Sequence, residues 1–437
     1  MGIFDNIASI ADSQRSNKQL KDNVLNFEDC LNFFFIDSLC SFEKCLAHNS
    51  QGQGKGFAPL SFPFLEEGED SEISGYKSLS IDFYVFLPTY QIFVKIEEDP
   101  TENPSISVSQ IKERLVKMSE YLNFELIFSS VSFREHIHEH KSKVQNSLKD
   151  THQEVEIICY SQNVSKIINE GLIDQNKEIL PLIDKSIIGK LEFITCFFID
   201  GSSIIDIEDP KWSFFLCIQE GIVKGFSSIY QFNLNSEIKR MRISQLIVFP
   251  FFQKKGMGKN LLSSIYNTYI SDNSVNLISV ECPNDSFTCL QYKVLLNILT
   301  EKRTKEFSVV SNDILNGSKS FTSLNSLIQT SLKISAETSD NIALLFLLNL
   351  YKNNDSQCNY IKGVFSEHIR SVDERRKRRR KDRVNIINGT ILTERDIKRI
   401  VQETMQNNSE PSIGEMIELR WNSLNRLGKQ ISLLMPQ

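Results

Sequence analysis

The sequence predicts an α+β protein: a mixed sheet flanked by helices, with an α+β region before it and a helical region after it. Three observations predict this. Residues 242–262 read as strand, glycine loop and helix in immediate succession. Leu79, Ile81, Phe83 and Val85 alternate with more polar neighbours, and Tyr90, Ile92, Val94 and Ile96 resume the alternation after Pro88-Thr89, which is a hairpin pattern. From about residue 305 the apolar spacing is helical.

In chain order, residues 1–22 are polar and expected to be flexible. Residues 26–37, with Phe33, Phe34, Phe35 and Ile36, predict a strand. Residues 48–58 read as a flexible insertion, and an acidic run follows that includes Glu69 and Asp70. After the hairpin, Ser109 is the expected cap of a helix using Ile111, Leu115, Met118 and Leu122. His136, His138 and His140 follow; their spacing suits a solvated surface better than a metal site. A short strand over 155–160 completes an N-terminal α+β domain, 23–165.

The second domain, 166–304, starts with a helix over 185–199, whose Ile187, Ile188, Leu191, Ile194 and Phe198 share a face before Asp200-Gly201 stops it. Strands follow over 212–219 and 225–232. Then β-branched residues 243–249 form a buried strand that Pro250 ends, because proline has no N–H for the ladder. Gln253, Lys254, Lys255, Gly256, Met257 and Gly258 make a short loop, and Leu261, Leu262, Ile265, Tyr266 and Tyr269 mark a helix face behind it. Glycines admit backbone N–H groups to an anion, and the helix dipole favours negative charge there. A Walker loop is excluded, since Gln253 replaces its first glycine and Asn260 its Ser/Thr. The dinucleotide fingerprint fails at Leu261. A strand over 276–280 and a helix opened by Asn284 complete the domain.

The third region, 305–437, holds a buried helix over 341–351, the tract RRKRRRK at 375–381 within a basic stretch 375–383, and helices over 393–406 and 413–433. The tract is open to three readings: nuclear localisation signal, basic binding patch or solvated helix. Ile413, Ile417, Trp421, Leu424 and Leu427 form a stripe expected to pack on the body. Twelve Lys/Arg against five Asp/Glu in residues 370–399 give a local +7, so the net −6 leaves the rest of the chain at −13. An acidic body suits a basic partner and argues against nucleic acid as the main substrate. Apolar runs reach only about ten residues, short of the roughly 20 that a membrane helix needs. The nine cysteines lack any C-x-x-C, which points to reduced thiols.

The form Q-x-x-G-x-G after a strand resembles the pyrophosphate loop of the GCN5-related N-acetyltransferases. Three stretches narrow the resemblance to the type B histone acetyltransferases, the histone acetyltransferase 1 family: 198–212, 242–262 and 280–287 (VECPNDSF). The resemblance implies a mixed-sheet acetyltransferase fold, acetyl-CoA as cofactor, and acetyl transfer to lysines in the N-terminal tail of free, newly made histone H4. It implies Glu281 as general base, with Asp200 auxiliary. The family's Asp after this Glu is Cys282 here, which is either a half-buried structural thiol or an acetyl-carrying one.

Backbone groups of Ile247, Val248 and Phe249 are expected to pair with the pantetheine arm. Gln253, Lys254, Lys255, Gly256, Met257, Gly258 and Lys259 are expected to hold the pyrophosphate. Asn284 is expected to bond the cofactor arm or to cap its helix. Acidic Glu69, Asp70, Asp206, Glu208 and Asp209 are expected to attract the tail, and Trp212 either packs on it or serves the core. A WD-repeat histone chaperone is the implied partner, with nuclear and cytoplasmic localisation. The alternatives are an acetyltransferase for another protein or a small amine, or an impaired acyl-CoA- and histone-binding scaffold.

Overall fold

A computed structural model describes residues 24–49, 56–65, 72–101, 104–147, 155–161, 164–169, 172–178, 185–351, 355–387 and 413–432. By contact the chain divides into one unit of residues 1–231 and 243–261 and a second of 232–242 and 262–437. These cuts fall elsewhere than the three regions drawn from the sequence. The expected flexible N-terminus, residues 1–22, and the expected helix over 393–406 lie outside the described residues.

In the first unit, β1 (Val24–Asn26) runs into a helical turn, α1 (Phe27–Cys30), before β2 (Leu31–Ile36). The single strand expected over 26–37 is therefore interrupted. The Asn26 side chain accepts the Glu28 N–H and caps the turn, which puts Phe27 and Cys30 into the core. After α2 (Leu39–Asn49) come β3 (Glu72–Ser74), β4 (Tyr76–Phe86) and β5 (Gln91–Pro100). β1 pairs with β3, β2 lies parallel to β4, and β4 and β5 form the predicted antiparallel hairpin. Inward aromatics of this sheet stack, with Phe33 and Phe83 centroids 4.5 Å apart.

The cap of α3 (Val108–Tyr121) is Ser107, not the expected Ser109. Ser107 Oγ accepts the Gln110 N–H while the Gln110 side chain accepts the Ser107 N–H, a reciprocal pair that needs Gln three residues on. The three histidines lie on α4 (Ser130–Ser147), where His136 and His140 stack at 4.3 Å. Among the described residues no cluster could hold a metal ion.

The larger sheet of this unit collects β6 (Glu156–Ser161), β7 (Val164–Asn169), β8 (Leu172–Glu178), β9 (Trp212–Gln219), β10 (Ile222–Asn233) and the second half of β11 (Lys239–Val248), in the order β8-β7-β6-β9-β10-β11. Between β8 and β9 in sequence lies α5 (Lys185–Phe198). One apolar face was predicted for it, yet every residue from 188 to 197 is buried, including Lys190 and Glu192. Gly189 lets α5 approach the end of α3: a Cβ there would lie 1.8 Å from the Leu122 carbonyl oxygen. Gly201, at φ +67°, provides the predicted stop.

In the second unit, β12 (Val275–Val280) flanks the first residues of β11. The Ser279 hydroxyl donates to Met241 O at 3.3 Å and accepts from Arg240 Nε at 3.2 Å. After α6 (Met257–Ser271) and β12, the unit is helical: α7 (Asp285–Leu315), α8 (Phe321–Leu332), α9 (Ala336–Tyr351), α10 (Asp355–Ile387) and α11 (Ile413–Ser432). The predicted buried run lies in α9, from Ile342 to Leu348, and Ile417, Trp421 and Leu424 of α11 are buried as expected. The basic tract continues α10 as helix. Among the described residues no helix is long and apolar enough to cross a membrane.

Candidate active site

The loop over 253–256 is built by the chain on either side of it. Pro250–Phe252 forms a single tight turn after β11. Phe252 and Met257 are buried, and Met257 Sδ lies 3.7 Å from Cys217 Sγ, so both ends of the loop are pinned into the core. Gln253, Lys254, Lys255 and Gly256 between them are exposed. Lys254 and Gly256 hold φ of +61° and +83°, which turns the backbone sharply into α6. The first bond across this helix start runs from Asn260 N–H to Gly256 O. The N–H groups of Met257, Gly258 and Lys259 precede it and have no acceptor within the helix. The first turn carries no acidic residue, and Lys254, Lys255 and Lys259 surround it. This donor set fits a diphosphate. Lys255 Nζ sits 5.4 Å above the Phe251 ring.

Two expectations for this stretch change. Gln253 is a strut, because its Nε2 donates to Val248 O at 2.9 Å and closes the loop onto the strand end. Phe249 serves the core: it is fully buried and its N–H donates to Lys224 O at 3.1 Å, so that N–H is already engaged. Ile247 and Val248 are the last residues of β11, buried and half-buried in turn. The Met257 side chain likewise belongs to the core, leaving its backbone for an anion.

In the second unit, Glu281 directly follows β12. Its side chain is 44% exposed, and Arg242 Nη1 lies 3.3 Å from Oε1. Arg242 is held over the Phe232 ring at 4.7 Å, which fixes the direction from which it meets the carboxylate. Cys282 is exposed, not half-buried, and takes φ +38°, unusual for a side chain with a Cβ. The Asn284 side chain accepts the Phe287 N–H at 2.8 Å, so the capping role is the one it fills here.

The acidic residues differ in how their charge is used. Asp206 and Asp209 each accept the N–H two residues ahead, at 2.9 Å, and so shape their own turns. Glu208 is paired within the fold with Lys185 and accepts from Asn123 Nδ2 at 3.0 Å, which corrects its assignment as free attraction for a basic tail. Trp212 is half-buried, its ring 4.8 Å from Tyr230. Asp200 is exposed in the turn after α5. Glu69 and Asp70 lie outside the described residues.

Sequence reasoning passed over Glu192. Its side chain is wholly buried, and Oε1 accepts from Gln245 Nε2 (3.0 Å), Ile205 N–H (3.3 Å) and Cys196 Sγ (3.4 Å). Oε2 has no partner. Burial pushes its carboxyl up to about 7, against the opposing pull of those hydrogen bonds. The Cys196 thiol is also raised, by burial first and then by Glu192. The signal was present: a lone acid inside a mostly apolar helical run.

No family model matches the chain. Curated relatives do. A histone acetyltransferase type B catalytic subunit of Dictyostelium discoideum is 36% identical over 126 residues, 26% of this chain and 26% of that protein. The protein so named from Arabidopsis thaliana is 26% identical over 269 residues, 56% of this chain and 52% of its own. That of Candida albicans is 26% identical over 282 residues, 57% and 62%. The match thus spans less than two thirds of each relative's length. A solved aminoglycoside acetyltransferase from an uncultured soil metagenomic sample, in complex with sisomicin, is 21% identical over 26% of this chain and 78% of that one, at a TM-score of 0.20, which bears on neither fold nor function. Across about half its length, the chain is similar to the type B histone acetyltransferase catalytic subunits.

Proposed function

We propose that this protein is an acetyl-CoA-dependent lysine acetyltransferase acting on histones, with the N-terminal tail of free, newly made histone H4 as substrate. The observation that carries the reading is the loop before α6, where unclaimed helix N–H groups, two left-handed residues and three lysines suit a diphosphate, in a chain similar to enzymes of that name. Acetyl-CoA, when bound, supplies the acyl group as an activated thioester. The chain's residues do the rest. The N–H groups of 257–259 and the loop lysines hold the diphosphate, and the end of β11, Ile247 and Val248, aligns the arm. Lysine's amine, of pKa ~10.4, must lose a proton before it attacks. Glu281, which meets Arg242 at 3.3 Å, takes that proton as general base. Asp200 assists, and Asp206 and Asp209 face a basic peptide.

The domain division at 165 and 304, a WD-repeat histone chaperone as partner, and residence in nucleus and cytoplasm belong to the same proposal. An impaired scaffold is the second reading, favoured by Cys282 in place of an acid beside an exposed Glu281. Mass spectrometry of histone tail peptides incubated with the protein and acetyl-CoA decides between them. Acetylated lysine in the H4 peptide is expected; coenzyme A binding without any acetylation would establish the scaffold.

A further inference from the structure

Glu192 is a carboxylate that the proposed chemistry leaves unused, in a setting that is costly without a purpose. A buried charge normally has a counter-ion. Here the groups within reach are the Cys196 thiol on its own helix, the Gln245 amide on β11 and the Ile205 N–H on the loop after α5. Lys190, on the same helix, points to Thr89 O instead. Among the described residues no cation is a partner, and one oxygen has no hydrogen-bond partner.

What Glu192 holds is the loop. Ile205 and Ile207 are buried, whereas Asp206 and Glu208 between and after them are exposed, so the segment alternates inward and outward. The Ile205 N–H on Glu192 fixes the inward side. The Gln245 Nε2 that donates to Glu192 also donates to Ser202 Oγ at 2.9 Å, and Ser202 in turn reaches Cys196 Sγ at 3.8 Å. Gln245 is itself held, its Oε1 accepting from Ser228 Oγ at 2.7 Å. Both ends of residues 202–205 are therefore tied to one carboxyl group.

We propose that Glu192 is a positioning residue that, through the Ile205 N–H and the Gln245 amide, holds the acidic segment 202–209 in place for a basic, lysine-bearing peptide. The substrate side of this inference rests on the proposed function. The anchor is strongest with the carboxyl protonated, since ionisation leaves a charge without a cation, and release of the segment would rehydrate it. Segment opening then rises as pH climbs from the carboxyl's ordinary range to about 7 and levels off above it.

Hydrogen exchange of peptides covering 203–209, corrected for intrinsic rates, tests the anchor without any activity. Wild type is expected to lose protection on the order of twentyfold between pH 5.5 and 7.5, and Glu192→Gln, which keeps an acceptor but cannot ionise, to stay level. Equal behaviour of the two proteins overturns the proposal. For positioning, Glu192→Leu, which removes the acceptor, is expected to raise the KM for a basic tail peptide about tenfold with kcat little changed, and Glu192→Gln to restore it. An unchanged KM in a folded Leu variant, or a loss in kcat alone, overturns the substrate role. Should the Leu variant not fold, the Gln variant's KM at pH 7.5 decides: a value below wild type supports positioning, an equal one refutes it. Absence of acetyl transfer in every protein would sink the proposed function, while the exchange result still judges the anchor.

Discussion

Gly189→Ala and Gly363→Ala make the same chemical change in two helices and are expected to act in opposite directions. In α5 the new Cβ of Gly189→Ala would lie 1.8 Å from the Leu122 carbonyl oxygen and 2.9 Å from its carbon. A real Cβ contact stays at 3.0 Å or more, so the end of α3 and the helix α5 must part, and both contacted atoms are backbone with no rotamer to give. Overpacking of this kind costs about 3 kcal/mol, and the higher helix propensity of alanine returns about 1 kcal/mol. The net expectation is destabilisation of about 2 kcal/mol. Gly363 lies on an exposed position of α10 with nothing among the described residues within 4 Å of the place a methyl group would take, so Gly363→Ala keeps only the propensity gain, about 0.5–1 kcal/mol of stabilisation. Pulse proteolysis in urea, with the fragments assigned by mass spectrometry, reads the two units separately. A Gly189→Ala protein as stable as wild type would refute the close helix approach, and a destabilised Gly363→Ala would refute the open space around α10.

Gly256→Glu should abolish coenzyme A binding by calorimetry, because φ +83° disfavours any side chain and the new charge repels phosphate; unchanged affinity in a folded variant removes the cofactor assignment. Glu281→Gln should lower kcat about 10²–10⁴-fold with little effect on coenzyme A affinity, while Cys282→Ala stays active; the reverse pattern in steady-state kinetics would point to an acyl-cysteine route. If Asp206, Asp209 and the acidic body steer a basic tail, kcat/KM on tail peptides should fall about tenfold or more from low to high salt, and a flat profile ends that idea. Glu192→Gln should match wild type in stability near pH 4.5 and exceed it by about 3 kcal/mol at pH 7 and above, since a raised carboxyl loses its stabilising share as pH climbs through that window. Urea titrations at both pH values check this, and a pH-independent difference would show that the carboxyl does not titrate in the fold.

The hairpin β4–β5, the strand, loop and helix of 242–262, and the helical end of the chain were legible in the sequence because each is written in neighbours. Period-two alternation, a proline that cannot donate, a glycine at a turn and an apolar stripe all act over a few residues. The loop before α6 was readable for the same reason: strand end, glycines and helix start are contiguous. Local rules also failed locally. Ser109 and Ser107 look alike as caps, and only the Gln110 side chain reaching back to Ser107 decides between them. An Asn26 cap broke a stretch whose composition reads as unbroken strand.

What the tertiary structure alone decided is which charges meet. Arg242 reaches Glu281 across 39 positions, Gln245 reaches Glu192 across 53, and Lys185 takes Glu208 across 23. No periodicity encodes such pairs, because they arise when sheet order and helix packing bring distant segments together. Burial is decided there too. Glu192 reads as a helix-surface acid until residues 188–197 of α5 are enclosed, and Glu208 reads as free charge until α5 brings Lys185 beside it. The sequence by itself determined most of the elements and the strand, glycine loop and helix succession of 242–262; the electrostatic state of the acids around them follows from solvent exclusion and long-range contact, which belong only to the folded chain.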